Sequence, residues 1–176
     1  AARVLDINPS CEVSARCDFV TTKNAGDVVE QGFDVIVDAI DAVNPKCALI
    51  DACRERQVPV VTVGGAGGRR LPWRVATADI TDSTHDGLLR RVRKRLRREY
   101  HYSDEGPWGV PSVFSTELPC FPTPDGGVCE RPSSELSLKL DCASGYGTAS
   151  FVTGTFGFVA AGLVIDLLLA QDGPRG

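Results

Sequence analysis

Two aspartates at the end of a predicted strand are the clearest candidates for chemistry in this sequence. Asp38 and Asp41 lie at the C-terminal end of a β-branched run at 34–40, and open parallel sheets bind ligands outside the carboxyl ends of their strands. A carboxylate there is able to hold Mg²⁺ on a nucleotide, because Mg²⁺ prefers oxygen ligands. Alternatively, both side chains only cap a helix and form a turn. The residues alone leave both interpretations open.

A glycine-rich segment at 64–68 follows the next predicted strand, at 58–63. Loops that cradle phosphates occupy this position in α/β folds. The segment lacks the GK[ST] ending of a Walker loop, however, and Arg69 and Arg70 fill the final positions of a GxGxxG pattern. The sequence therefore fits either a chain reversal that needs positive φ or a loop that lines a ligand site.

A block of basic residues stands out in a chain whose net charge is −4. Apolar residues recur at helical spacing from Leu88 to Leu96 and predict an amphipathic helix over 86–99. Such a cluster neutralises phosphates along a nucleic acid, although a merely solvated helix face is the usual alternative. The candidate polyanion-binding residues are Arg90, Arg91, Arg93, Lys94, Arg95, Arg97 and Arg98.

The seven cysteines point to a reduced protein. Their number is odd, no CxxC pair occurs, and only His85 and His101 could add imidazole ligands. This pattern argues against a zinc ribbon or a disulfide scaffold and favours a cytoplasmic location. Cys120, Cys129 and Cys142 lie in a loop-rich region and are candidate nucleophiles, although a cysteine is more often a small buried apolar residue.

The elements that must position these groups belong to the α/β class. The strand at 34–40 is followed by a helix that Asn44 and Pro45 are expected to open and that runs to about Arg56, and then by the strand at 58–63. A strand, helix and strand within this distance predict a βαβ unit and a parallel sheet. Residues 74–80 could add another strand. The length of 176 residues suits one continuous domain, with an α/β part at 1–100 and a loop-rich part at 101–176.

The last apolar segment, at 151–170, is long enough to cross a bilayer. It contains Asp166 and the glycines Gly154, Gly157 and Gly162. These residues fit a buried or subunit-interface helix better than a membrane span, so membrane association is the alternative rather than the expectation.

Several ordered motifs together resemble one enzyme family. The chain is similar along essentially its whole length to the tRNA threonylcarbamoyladenosine dehydratases, which belong to the ThiF/HesA/MoeB superfamily of adenylating enzymes. The motifs are DAID (38–41), NPK (44–46), VVTVGGAGG (60–68), ADI (78–80) with the basic helix after it, VFSTE (113–117), DCASGYG (141–147) and TGTFGFV (153–159).

The resemblance implies a reaction and a site. ATP would adenylate the carboxylate of the threonylcarbamoyl group beside the tRNA anticodon, and loss of AMP would close a ring, a net dehydration. Asp41 would be the Mg²⁺-ATP aspartate, with Asp38 second, and Asn44 and Lys46 would also contact the nucleotide. Cys142 is a further catalytic candidate. The basic helix would meet tRNA, the protein would be a homodimer, and a cysteine desulfurase or sulfur acceptor would be a functional neighbour.

In the family, a glycine-rich phosphate loop precedes the segment that matches Asn8 and Pro9, whereas this sequence begins at Ala1. The resemblance therefore implies a Rossmann-like sheet whose first part is missing, and we expect the 176 residues alone to bind ATP poorly, to be inactive and to be poorly soluble. The alternatives are an enzyme that adenylates a sulfur-carrier or ubiquitin-like protein, and a non-catalytic RNA-binding or dimerisation module.

Overall fold

The computed structural model describes residues 1–123, 127–129 and 147–171. Its centre is an open four-stranded sheet with the order β1-β2-β4-β3. A separate two-stranded ribbon pairs β5 with β6. The strands are β1 (Ile36–Asp38), β2 (Val60–Val63), β3 (Val75–Asp79), β4 (Pro111–Ser115), β5 (Phe121–Pro122) and β6 (Val128–Cys129). The helices are α1 (Ala2–Ile7), α2 (Ala25–Val29), α3 (Val43–Glu55), α4 (Gly87–Tyr100) and α5 (Ser150–Gln171).

The predicted βαβ unit is confirmed. Strands β1 and β2 pair in parallel, with Ile36 opposite Val60, and α3 connects them. Strand β4 continues the parallel direction beside β2, whereas β3 pairs antiparallel with β4 at the other edge. Since β1 and β2 run the same way, their carboxyl ends lie at one edge of the sheet, followed by the β1–α3 turn and the glycine-rich segment.

The sheet has helices on both faces. Successive residues of a strand point to opposite faces, and Val60 accordingly packs in the cluster formed with α2, α3 and α4, while Val61 packs in the cluster formed with α5. The apolar face predicted for the basic helix is also confirmed. Its four members, all buried, are Leu88, Leu89, Val92 and Leu96.

Element ends differ from the sequence-based expectation at β1 and α3. Strand β1 is shorter than predicted because Asp38 Oδ1 accepts from the Ile40 backbone N–H at 3.0 Å, which turns the chain after Asp38. Helix α3 begins at Val43, and Ala42 rather than Asn44 is its N-cap residue. Pro45 is tolerated inside the first turn, because backbone N–H groups there have no partner within the helix.

Helix α5 is long and apolar enough to cross a membrane, and no other helix in the described ranges is. A single helix of this kind is weak support for a membrane span. One side of it packs on the sheet, since Val152, Phe156 and Ala160 are buried in the cluster that contains Val61. Its remaining surface carries exposed apolar residues together with the exposed Asp166, and Phe158 is 83% exposed.

Candidate functional site

A fully buried ion pair lies where β1 and β2 end. Lys46 Nζ donates to Asp38 Oδ2 at 2.7 Å, to the Val63 carbonyl at 2.9 Å and to Thr62 Oγ1 at 3.2 Å. Thr62 Oγ1 in turn donates to Asp38 Oδ2 at 2.8 Å. The lysine has three protons to donate, and each has an acceptor inside the protein. This network fastens α3 to the carboxyl ends of both parallel strands.

The predicted nucleotide-binding residues thus fall into two groups. Asp38 and Lys46 are buried and bonded to each other, whereas Asp41 and Asn44 are exposed. Asn44 Oδ1 accepts a hydrogen bond from Arg95 of α4. Asp41 lies three residues after β1 and is the exposed carboxylate of the set. A solvent-facing carboxylate beyond the carboxyl end of a parallel strand suits a Mg²⁺ ion that also binds substrate phosphates.

The glycine-rich segment uses most of its backbone N–H groups within the protein. Gly64 N donates to the Val113 carbonyl at 2.8 Å, and Gly68 N donates to the Gly147 carbonyl at 3.0 Å. Gly65 N donates to Asp86 Oδ2 at 2.8 Å. Of the five residues at 64–68, only Gly68 has a positive φ, of 68°. The segment is therefore a chain reversal whose amides are largely occupied, which is unlike a loop that cradles phosphates with free N–H groups.

A cavity of about 370 Å³ lies between the α5 side of the sheet and the carboxyl ends of β1 and β2. Its lining is apolar and includes Val37 of β1 and Ala39 just after it, Val63 of β2 and Gly64 just after it, and Phe156 of α5. The cavity therefore begins beside the β1–α3 turn and the glycine-rich segment, at the edge of the sheet where ligands of parallel sheets bind.

The basic residues of α4 differ in solvent exposure and in their contacts within the fold. Arg90, Lys94 and Arg98 are exposed and, within the described ranges, form no hydrogen bond or ion pair. Arg91 is exposed too, and its Nε donates to the Gly87 carbonyl at 3.2 Å. Residues 90, 94 and 98 are spaced by four, so they form one stripe that extends about 12 Å along the helix. This stripe, Arg90, Lys94 and Arg98, is called the basic stripe below.

The other three arginines of α4 serve contacts within the fold. Arg93 Nη1 donates to the Ile80 carbonyl at 3.0 Å and to Ser83 Oγ, and burial lowers the pKa of this guanidinium. Arg95 Nη2 lies 2.7 Å from Glu99 Oε2. Arg97 Cζ lies 5.0 Å from the centroid of the Trp108 ring. These three side chains stabilise α4 against its neighbours and are less available to a polyanion.

The cysteines that the structure describes form no disulfide and no metal cluster. Cys47 and Cys53 of α3 are buried, and this burial raises the pKa of each thiol from 9.0 to about 12. The thiols of Cys120 and Cys129 are in no disulfide, and both residues are half-buried. No group of three or more His, Cys, Asp or Glu side chains arranged for a metal ion occurs in the described ranges. Cys142, the predicted catalytic cysteine, lies outside the described residues.

Two buried carboxylates near this edge were not recognised as site residues from the sequence. Asp86 was expected only at the start of the basic helix, where it does accept from Leu89 N at 2.8 Å, and its other oxygen holds Gly65. Glu117 accepts from Arg70 N and Leu71 N, both at 2.9 Å. The partners of Glu117 are 46 and 47 residues away in the chain, so no local pattern could have indicated this contact.

Comparison with known proteins establishes the family. The ThiF family model matches residues 1–175, practically the entire chain. The chain belongs to the ThiF family. It is 40% identical over 179 aligned residues to the tRNA threonylcarbamoyladenosine dehydratase of Escherichia coli, covering 100% of this chain and 67% of that protein. The corresponding enzyme of Haemophilus influenzae is 38% identical, with 96% of this chain and 63% of the relative covered.

Solved structures of this family share the fold. A structure named TcdA (CsdL) matches with a TM-score of 0.86 at 38% identity, covering 99% of this chain and 66% of that one. The E. coli tRNA N6-threonylcarbamoyladenosine dehydratase in complex with ATP matches with a TM-score of 0.82 at 34% identity, covering 99% and 64%. The chain thus spans about two thirds of the length of the ThiF proteins that it matches. The predicted α/β class and the predicted family are both confirmed.

Proposed function

We propose that this ThiF-family chain serves in the ATP-dependent dehydration of threonylcarbamoyladenosine in tRNA, next to the anticodon. The observation that carries the proposal is the similarity along the whole chain, at 40% identity, to a protein named for this activity. The same fold is found in a relative solved with ATP. The exposed Asp41, at the carboxyl end of a parallel strand, supports the same reaction.

The proposed chemistry is adenylation of the substrate carboxylate. A carboxylate oxygen attacks the α-phosphorus of ATP, the bond to pyrophosphate breaks, and the acyl carbon now carries AMP as a good leaving group. A nucleophile of the same threonylcarbamoyl side chain then attacks the acyl carbon, loses its proton and expels AMP. The net change in the nucleoside is loss of one water, whose oxygen leaves in AMP. Activation is needed because a carboxylate oxygen is a poor leaving group.

Asp41 is the residue of this chain that we assign to Mg²⁺-ATP. Its exposed carboxylate fits the ion, because Mg²⁺ binds through one or two carboxylates together with substrate phosphates. When bound, the ion would neutralise charge on the phosphates. Asp38 and Lys46 would act indirectly, because their buried ion pair holds the β1–α3 turn that carries Asp41. Their direct contact with nucleotide, like that of Asn44, stays a prediction.

The basic stripe is the part of α4 that we propose for tRNA. Its three cations are exposed, so their charge is available to neutralise phosphates and to release counterions. The original set of seven basic residues is thereby narrowed to the stripe with Arg91 beside it, because Arg93, Arg95 and Arg97 already have partners within the fold.

We also propose a homodimer that uses α5. The exposed side of this helix carries Phe158, Ile165 and Leu169, which are 83%, 55% and 65% exposed, and exposed apolar residues grouped on one helix favour an interface. Analytical sedimentation is expected to show a dimer for the wild type and a weaker dimer for Phe158→Asp. A monomeric wild type would contradict the proposed dimer. The cytoplasmic location and the partnership with a cysteine desulfurase or sulfur acceptor stay predictions.

The experiment that tests the proposed function uses the chain extended to the full length of its relatives. It is incubated with ATP, Mg²⁺ and threonylcarbamoyl-modified tRNA, and the modified nucleoside is examined by mass spectrometry. The expected result is an ATP-dependent loss of the mass of one water molecule. No loss, together with ATP–pyrophosphate exchange that a small carrier protein stimulates, would overturn the proposal in favour of carrier adenylation.

A further inference from the structure

Two buried carboxylates accept hydrogen bonds from the segment Gly64 to Leu71 near its two ends. Near the first end, Asp86 Oδ2 accepts from Gly65 N at 2.8 Å. At the other, Glu117 Oε2 accepts from Arg70 N and Leu71 N at 2.9 Å each. This segment, residues 64–71, is called the glycine loop below. Backbone N–H groups that converge on one point bind anions, and the anion on which Arg70 N and Leu71 N converge is the Glu117 side chain of the protein itself.

Both carboxylates are well removed from water. Asp86 is 5% exposed and Glu117 is 8% exposed. Charge-assisted hydrogen bonds from backbone N–H groups are stronger than neutral ones, and the contrast with water is greatest when the site is buried. Glu117 also lies near one side-chain cation, with its Oε1 3.7 Å from Arg70 Nε. The loop is consequently held by contacts that are costly to break.

The residue at position 64 shows how close the first contact is. A Cβ atom added to Gly64 would lie 2.2 Å from Asp86 Oδ2 and 2.9 Å from its Cγ. Any side chain at this position would therefore push the Asp86 carboxylate away from Gly65 N. Gly64 is not in the left-handed region of φ, so its role here is the close approach rather than an unusual backbone conformation.

The loop that is held in this way borders the candidate site. It begins directly after β2, at the same edge of the sheet as Asp41. Gly64 and Ala66 also line the apolar cavity at this edge. A wall in this place influences how the reacting groups are arranged, and misplacement by about 1 Å can reduce a rate about 100-fold.

We propose that Asp86 and Glu117 are positioning residues that fill the anion-binding positions of the glycine loop and so hold it as a fixed wall of the substrate site. This inference rests on the proposed function. It assigns the loop to substrate positioning and leaves the ATP phosphates to other parts of the protein. Neither carboxylate touches the reacting atoms, and each acts through the loop.

The first part of the test measures the loop itself by amide hydrogen exchange, in the chain extended to the length of its relatives. Gly64→Ala and Glu117→Leu are expected to speed exchange in peptides covering 64–71 by about tenfold or more, because the first displaces and the second removes an acceptor of a loop N–H. Gly87→Ala is the matched control, since a Cβ there meets nothing within 4 Å. Unchanged exchange in both loop variants would overturn the proposal.

The second part measures turnover of modified tRNA by the same variants. Gly64→Ala and Glu117→Leu are expected to lower kcat about tenfold while KM for ATP changes little, when turnover is measured well below the thermal midpoint of each variant. Glu117→Gln keeps an acceptor oxygen and is expected to restore most of kcat, which a loss of packing alone would not explain. Faster exchange with kcat within about twofold of wild type would overturn the positioning role.

The two proposals fail in different ways. A wild-type protein that turns over no modified tRNA contradicts the proposed function, and the exchange result alone then decides whether the two carboxylates hold the loop. If Glu117→Leu does not fold, Gly64→Ala still decides the role of Asp86, because its added methyl group acts on the Asp86 contact and leaves Glu117 in place. Glu117→Ala then replaces Glu117→Leu as the test of Glu117.

Discussion

Lys46 Nζ lies 2.7 Å from Asp38 Oδ2, and both side chains are completely buried. The pair connects α3 with the end of β1, while Thr62 and the Val63 carbonyl extend it to β2. Asp41, three residues beyond Asp38, stays exposed. Two carboxylates that look equivalent in the sequence therefore have different surroundings, since Asp38 lies in a buried ion pair and Asp41 faces solvent.

Lys46→Met is expected to destabilise the protein strongly. Removing one partner of a buried ion pair leaves the other as an uncompensated charge, which costs about 3–5 kcal/mol. The free energy of unfolding in urea measures the effect. The double variant Lys46→Met with Asp38→Leu should recover much of the loss, because neither charge then remains in the core. A single-variant loss below about 1 kcal/mol would show that the pair contributes little.

Asp41→Ala is expected to reduce activity without reducing stability. Loss of a group that stabilises charge at a reacting centre lowers kcat about 100-fold or more, whereas an exposed side chain contributes little to folding. Turnover of modified tRNA and the urea midpoint are measured together. The matched variant, Asp38→Ala, should show the opposite balance, with a clear loss of stability. Equal losses of stability in both would contradict the division of roles.

Reversing the basic stripe is expected to weaken tRNA binding and to reduce its salt dependence. Arg90→Glu, Lys94→Glu and Arg98→Glu together remove three phosphate contacts, which should lower the slope of log K against log salt by about 2–3. Filter binding across a salt series measures this slope. The control reverses three exposed cations elsewhere, Arg3, Lys23 and Arg74. The same slope in both triple variants would place the tRNA site away from α4.

Alkaline pH is expected to destabilise the protein through Cys47 and Cys53. Burial raises the pKa of both thiols from 9.0 to about 12, so between these values the unfolded chain loses thiol protons that the folded chain keeps. Stability is thus complete below pH 9 and falls as the pH rises towards 12. Urea midpoints at several pH values measure the decline. In a double alanine variant at Cys47 and Cys53 the urea midpoint should fall less steeply with pH. An identical pH dependence in the wild type and the variant would show that the two thiols do not cause the decline.

The parts of the fold that the sequence predicts well are those with local periodicity. The β-branched runs around Ile36 and Val60, and the apolar spacing from Leu88 to Leu96, each report burial within a few residues. The parallel pairing then follows from the short helical connection. The family, too, could be recognised from ordered motifs, because each motif is read along the chain and none requires a contact to be known.

What the sequence does not predict depends on contacts between distant segments. The seven basic residues of α4 look alike until the fold places Ser83 beside Arg93 and Trp108 beside Arg97. Asn44 resembles a helix cap, yet its side chain meets Arg95, 51 residues away. Glu117 has no neighbouring signal at all. The location of the candidate site, at the end of β1, is therefore predictable from the sequence. Which of its side chains are bonded within the fold and which face solvent is not.

The most direct test of the proposed chemistry follows an oxygen atom of the substrate. Modified tRNA carrying heavy oxygen in its threonylcarbamoyl carboxylate is incubated with ATP, Mg²⁺ and the chain at its relatives' full length. Adenylation predicts AMP that carries one heavy oxygen in its phosphate, because that oxygen bridges carbon and phosphorus before the ring closes. ADP with heavy oxygen in inorganic phosphate, or unlabelled AMP with heavy oxygen in water, would contradict it.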